Sequence, residues 1–359
     1  MSNQSQKILV ISNMFPSSKD PYYGTFVKMF YEDLRKVNHI SVKLIAIKGR
    51  KFSLVAKIMA YLSFYFQIFY YVSFYNYKFI YVHTISHPTP PLRIISFFKK
   101  LPIIYNIHGD DLLTTTSLAE KLLEFAKPLL KTAKAIVVPS EYFKEVLFSK
   151  IPFTKTRKVI ISPSGGVAKE FYCKKHPVNS VPLLGYVSRI DEGKGWSTMI
   201  EALKILKNDN VIFKAQFFGR GDQASLLEKE IFNSGLNDYV SFEGPKSHSE
   251  LPYIYSQFDL FIFPTQRAGE SLGLVGLEAM AASTPVIGSD IAGLRTYIIN
   301  GENGFLFPPG DAKKLAEKIK EYLLLSKDKK ELMRSNAYKT ALDYESSLVN
   351  NLLFKKILG

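Results

Sequence analysis

The chain is poor in sulfur throughout and poor in acid over one half. A single cysteine, Cys173, stands among 359 residues. That excludes an internal disulfide and fits a reducing compartment. An inert residue in a connecting segment is a sufficient role for it. No apolar run near the start leads into a small-residue cleavage site, so no secretory signal is expected, and Lys7-Ile-Leu-Val-Ile-Ser12 already has the pattern of a first strand. Heptad runs, repeat arrays and low-complexity segments are lacking. Residues 1–170 hold 24 Lys and Arg against 10 Asp and Glu, a net of +14, whereas residues 171–359 hold 23 against 22, a net of +1. A Lys-biased proteome would raise both halves. The asymmetry therefore points to an anionic partner for the first half: a membrane surface, a lipid phosphate or nucleic acid.

What is present describes an ordinary folded protein, 47% apolar and 22% charged, long enough for two cores. Apolar strand patterns appear at 7–12, 42–47, 79–83, 103–108, 135–139 and 159–162. A second series occupies 183–188, 214–218, 240–242, 260–263 and 285–288. Helical stretches lie between most of them. Buried apolar runs alternating with helices predict parallel sheets covered on both faces, hence an α/β fold of two doubly wound domains facing a cleft. The predicted first domain is 1–165, the linker 166–182 and the second domain 183–344, with a last helix at 345–359. Residues 58–77 are uncharged and crowded with aromatics. Their length alone suits a membrane span. Ser63, Gln67, Ser73, Asn76 and several tyrosines argue against that, as does the strand Phe79-Ile-Tyr-Val-His83 that follows at once. Two readings stay open: a core helix, or an interfacial helix whose aromatic face sits at headgroup depth beside Lys48, Arg50, Lys51 and Lys57.

The most informative segment runs from Pro264 to Gly293. Glu270 and Glu278 are separated by seven residues, the first in a turn after the strand 260–263, the second inside the helix predicted at 273–282. A strand, a turn with free N–H groups and a helix N-terminus seat a phosphate, and carboxylates nearby accept hydrogen bonds from sugar hydroxyls. A lone pair of glutamates is more often solvated surface, but the flanking Ala279-Met-Ala-Ala-Ser-Thr-Pro-Val-Ile-Gly-Ser-Asp290 changes the balance. This segment resembles the E-x7-E signature of the family 4 retaining glycosyltransferases, which have the GT-B architecture of two Rossmann-like domains. Gly185-Tyr-Val-Ser-Arg189-Ile-Asp-Glu-Gly-Lys194-Gly195 resembles the G-R-x-x-x-x-K-G turn of the same family, with Ser188 in place of its glycine.

The resemblance implies roles for named residues. Arg189 and Lys194 hold the donor diphosphate, a task that a guanidinium fork and a mobile ammonium perform without a metal. Glu270 holds sugar hydroxyls, Glu278 holds the ribose, and the N–H groups of Ser271, Leu272, Gly273 and Leu274 cradle the pyrophosphate. His108, at the end of the fourth strand, faces the sugar. Gly219 lies near the nucleotide, and Lys246 falls where backbone groups read the base. Gly24, with Thr25, opens a helix that binds phosphate or acceptor. Two departures stand out. Only Gly24, after Tyr22 and Tyr23, stands where the family often has two adjacent glycines, and Glu270-Ser271-Leu272-Gly273 replaces the common E-G-F-G. The last helix is expected to pack back on the first domain, as is common in GT-B enzymes.

The reaction so implied is transfer of a sugar, with retention, from a nucleotide diphosphate sugar to an acceptor hydroxyl. A UDP-sugar is favoured over a GDP-sugar, and the leaving phosphate takes the acceptor proton, so no protein general base is assigned. Asp110 and Asp111 do not make a D-x-D motif; no cofactor and no catalytic metal are expected. The basic first half favours a lipid-linked or cell-envelope glycan precursor as acceptor, in the cytoplasm at the inner face of the membrane. The alternatives are a GT-B nucleotide-sugar epimerase, a non-catalytic nucleotide-sugar binder, and a basic nucleic-acid-binding protein. No nucleic-acid module is visible, so nucleic acid is not expected as a partner.

Overall fold

The computed structural model describes residues 6–20, 23–114, 116–174 and 179–359. Tyr22 and the predicted-linker residues Lys175 and His176 lie outside them. The chain divides into two compact units, Met1–Gly165 with Val349–Gly359, and Gly166–Leu348.

The first unit contains β1 (Gln6–Phe15), α1 (Thr25–Arg35), β2 (Ile40–Lys48), α2 (Leu54–Phe74), β3 (Phe79–His83), α3 (Thr89–Ile95), β4 (Ile103–Asn106), α4 (Gly109–Leu112), α5 (Ser117–Thr132), β5 (Ala135–Val138), α6 (Glu141–Lys150) and β6 (Val159–Ile161). All strand pairs are parallel, in the order β2-β1-β3-β4-β5-β6. The central strands have no dry-side alternation: β3 and β5 are buried at every position. This is what a parallel sheet covered by helices on both faces demands.

The second unit contains β7 (Leu183–Val187), α7 (Trp196–Asn208), β8 (Lys214–Phe218), α8 (Ala224–Asn233), β9 (Val240–Phe242), α9 (Leu251–Gln257), β10 (Leu260–Phe263), α10 (Leu274–Ala281), β11 (Val286–Ser289), β12 (Gly304–Phe307), α11 (Ala312–Leu323) and α12 (Lys327–Leu342). Its parallel order is β12-β11-β10-β7-β8-β9. The strand β12 was not foreseen. It is four residues long, opens on a glycine and sits between turn-forming segments, so no alternation marks it. Its Phe305 and Phe307 nevertheless fill the core beside Leu315 and Ile319 of α11.

Part of the predicted linker is built into the second unit. Val167 N–H donates to Tyr344 O at 2.7 Å and Val167 O accepts from Ser346 N at 2.9 Å, while Phe171 is buried against Tyr255. Two apolar residues in an otherwise irregular stretch suffice to anchor it. The last helix, α13 (Ser346–Leu358), places Leu353, Phe354 and Ile357 in the core of the first unit with Ile8, Phe30 and Leu34. Asn350 donates to Asp33 at 2.7 Å on the same face.

Truncating Phe354 to Ala removes a nearly enclosed ring that meets Phe30 edge-on at 5.6 Å. The variant is expected to lose about 3–5 kcal/mol of stability in the first unit. Urea unfolding followed by circular dichroism measures it. Fluorescence of Trp196, the single tryptophan, reports the second unit and should move less.

Candidate active site

In the second sheet β7 and β10 are neighbours, yet their following helices cross to opposite sides, towards β8 and β11. This reversal leaves room above the carboxyl ends of the two strands, the usual place for a ligand in a doubly wound sheet. Both predicted motifs lie there, Arg189 to Gly195 after β7 and Pro264 to Gly273 after β10.

The two loops are fastened together. Lys194 Nζ is 2.7 Å from Glu270 Oε2, and the Thr265 hydroxyl donates to the same oxygen at 3.1 Å. The side chains of Lys194 and Glu270 keep only 12% and 15% of their exposure, so the charges are matched in a poorly hydrated place. Gln266 N–H donates to Gly193 O at 2.8 Å and adds a backbone tie. Gly195 makes the approach feasible: its φ is +76°, and a Cβ there would lie 1.8 Å from Pro264 O. A lysine ammonium has three donors, so Lys194 retains N–H groups for a second anion. Glu270 Oε1 takes no hydrogen bond from the described residues.

Arg189 stands apart from this cluster. Its guanidinium pairs with Asp191 at 2.9 Å and is half exposed. Gly219, after β8, donates its N–H to Gly244 O at 3.0 Å. Lys246 stacks its ammonium over the Phe218 ring at the end of the same strand, 5.9 Å from the centroid.

Helix α10 starts at the same edge. Its N-cap is Gly273, with φ +74°, where a Cβ would strike the Phe263 ring at 2.5 Å. Ser271 and Leu274 are half-buried, while the Leu272 side chain is in the core. Leu272 therefore has only backbone to offer a ligand. One turn into the helix, Glu278 accepts from the Tyr255 hydroxyl at 3.1 Å. Burial raises the Glu278 carboxyl to about 7, and the tyrosine hydrogen bond opposes this in part.

In the first unit the corresponding edge carries His108, the N-cap of α4. Its ring meets Phe26 at 4.8 Å and lies parallel to His83 at 6.1 Å. Burial lowers His108 to about 4 and holds His83 well below its ordinary range, with His108 adding to the effect on His83. Both imidazoles are neutral at physiological pH, and neither Nε2 finds a hydrogen-bond partner among the described residues. Asp111 fixes this edge. It accepts from the N–H groups of His108 at 2.9 Å and Ile85 at 3.2 Å, and burial raises it to about 7. Gly24 is the N-cap of α1 beside the end of β1, and its carbonyl accepts from Val27 and Lys28.

His83, Thr265 and Tyr255 were not singled out by sequence reasoning. His83 ends a recognised strand, which was its one available signal. Thr265 and Tyr255 act through Glu270 and Glu278 from positions that carry no spacing rule.

Residues 169–340 match the family described as Glycosyl transferases group 1. Among curated proteins, the capsular polysaccharide biosynthesis glycosyltransferase CapM of Staphylococcus aureus is 27% identical over 250 residues, 64% of this chain and 63% of that protein. The amylovoran biosynthesis glycosyltransferase AmsK of Erwinia amylovora is 31% identical over 164 residues, 44% of this chain and 40% of that protein. The matched stretches thus span about half the length of these relatives. Sucrose-phosphate synthase from Thermosynechococcus elongatus superposes with a TM-score of 0.79 at 20% identity, covering 98% of this chain and 99% of that one. Anabaena HepE in complex with UDP and glucose gives 0.75 at 20% identity, covering 99% and 100%. At these identities the structural likeness shows the fold, which is GT-B.

The Lys194–Glu270 pair is testable by a double-mutant cycle. Lys194→Met leaves a carboxylate without its cation, and Glu270→Gln does the reverse. Each should destabilise the protein, and the double variant should lose less than the sum, with a coupling of about 1–3 kcal/mol in urea unfolding.

Proposed function

We propose that this chain, whose residues 169–340 match the glycosyl transferases group 1 family, transfers a sugar from a nucleotide diphosphate sugar to an acceptor hydroxyl with retention at the anomeric carbon. The observation that carries the reading is the cluster of Lys194, Glu270 and Thr265 beside the N-terminus of α10, with Glu278 one turn further on. A cation and helix N–H groups suit the pyrophosphate, and the two carboxylates suit hydroxyls on either side of it. UDP is favoured as the nucleotide; a relative of the same fold is described with UDP and glucose bound.

Departure of the diphosphate gathers negative charge on its oxygens. Lys194, Arg189 and the N–H groups of Ser271 to Leu274 would bind that charge more tightly in the transition state than in the ground state, which is what accelerates the step. Glu270 orients the sugar and Glu278 the ribose. His108, kept neutral by its surroundings, is suited to hydrogen bonding with the sugar and not to supplying a positive charge. The leaving phosphate accepts the acceptor proton. No metal is assigned a role. The acceptor is a lipid-linked or cell-envelope glycan precursor, met at the cytoplasmic face of a membrane.

Lys194→Ala and Glu270→Ala should each lower kcat by at least about 100-fold while circular dichroism stays native. Turnover at the parent rate in both would remove the site assignment. A pH dependence also follows. Glu278 titrates at about 7, and ribose hydroxyls favour its ionised form. Affinity for a UDP-sugar should therefore rise about tenfold between about pH 6 and about pH 8. Calorimetry checks this, and Glu278→Gln should flatten the profile.

A further inference from the structure

Helix α2 is apolar on two faces. One face places Phe64, Ile68 and Val72 against the first unit. The other carries Val55, Met59, Leu62, Phe66 and Phe69, which recur every three or four residues and so form one stripe. They are 72%, 62%, 59%, 71% and 46% exposed. Phe97 and Phe98, after α3, add two more exposed rings, at 68% and 86%. Single exposed apolar residues need no explanation, but a continuous stripe of them marks an interaction surface.

The charges around the stripe indicate what covers it. Between Asp33 and Asp110 the sequence contains no acidic residue. Arg50 and Lys51 precede the helix, with Phe52 between them and Ser53 at 93% exposure for the phenyl ring. At the other end Lys99 donates to Val72 O at 3.0 Å and Tyr75 O at 2.8 Å, and Lys100 follows. A cavity there is lined by Lys99, Lys100, Lys134 and Arg157, and burial together with Lys78 and Lys158 lowers the Lys134 ammonium. Cations at both ends of an apolar helix match an anionic bilayer surface, where apolar side chains enter the acyl boundary and ammonium groups meet phosphates.

The helix has the length and composition to cross a membrane, but the topology forbids it. Strands β2 and β3, which flank α2 in the chain, both pair with β1 in one sheet. Crossing would place them on opposite sides of the bilayer and tear that sheet apart.

We propose that α2, with Phe97 and Phe98, lies in the plane of an anionic membrane surface and docks the first unit there. The inference deepens the reading above by naming the surface through which a membrane-borne acceptor is met. The N-terminal half of α2 borders the carboxyl edge of the first sheet, where Tyr61 meets His87 at 5.3 Å. Docking would thus bring lipid to the edge that holds His83 and His108.

The test is flotation of the full chain with vesicles of equal parts phosphatidylglycerol and phosphatidylcholine at low salt. The parent should float, and Leu62→Glu with Phe66→Glu should reduce the bound fraction by about an order of magnitude. Lys51→Glu with Lys57→Glu, both exposed, should weaken binding and its salt sensitivity. These side chains are exposed, so the fold should be kept, as circular dichroism verifies. No flotation, or flotation unchanged by Leu62→Glu with Phe66→Glu, would overturn the proposal. So would a dimer in sedimentation equilibrium that those two changes dissolve in a chain that does not float. Thermal stabilisation by UDP-sugars is measured in parallel; it tests the transfer reading and is independent of lipid.

Discussion

A lysine and a glutamate 2.7 Å apart, both largely withdrawn from water, govern the second unit. They join the loops that leave the two strands flanking the reversal of the sheet. Burial of either alone would be costly, since an unpaired charge in such a place loses its hydration without compensation. The pairing requires close packing of the loops. Gly195 meets this need by letting the backbone pass against Pro264, and Thr265 and Gln266 complete it with their own hydrogen bonds. The N-terminus of α10 has a fixed position because the turn before it is held in this way.

Charge and neutrality are distributed with a physical logic. Lys194 and Glu270 sit 2.7 Å apart, each the other's charge partner. Among the described residues Glu278 and Asp111 have tyrosine and backbone donors but no paired cation, and burial raises both to about 7. His83 and His108 face Phe26 and Phe30 and are pushed the other way, so they stay neutral. The first unit thus presents uncharged hydrogen-bonding groups, and the second presents the cations.

Much of this was legible in the sequence for reasons that can be named. Strands such as β3, β8 and β10 were recognised because parallel strands buried on both faces are short uninterrupted apolar runs. The turns at Arg189 to Gly195 and at Glu270 to Gly273 were recognised because glycine and charge recur there at fixed offsets. The misses have an equally definite origin. β12 is too short for a pattern. Part of the expected linker is held by Val167, bonded to the backbone at 344 and 346, and by Phe171, packed on Tyr255, all partners distant in sequence. Thr265, Tyr255 and Asp111 orient neighbours through contacts that no local rule encodes, which is the general difficulty with supporting residues.

Helix α2 shows the same limit from the other direction. Composition left a core helix and an interfacial helix both open, because an apolar helix looks alike whichever face is covered. The structure makes the two readings compatible. Phe64, Ile68 and Val72 are core, and the stripe through Leu62 and Phe66 is surface. A helix that needs apolar residues on one side for folding gains nothing in folding from apolar residues on the other. Keeping them in water exposes the chain to aggregation. Their persistence along about four turns, in a stretch that also excludes every acidic side chain, is therefore best understood as a second use of the same helix, in which the fold holds one face and a lipid surface receives the other.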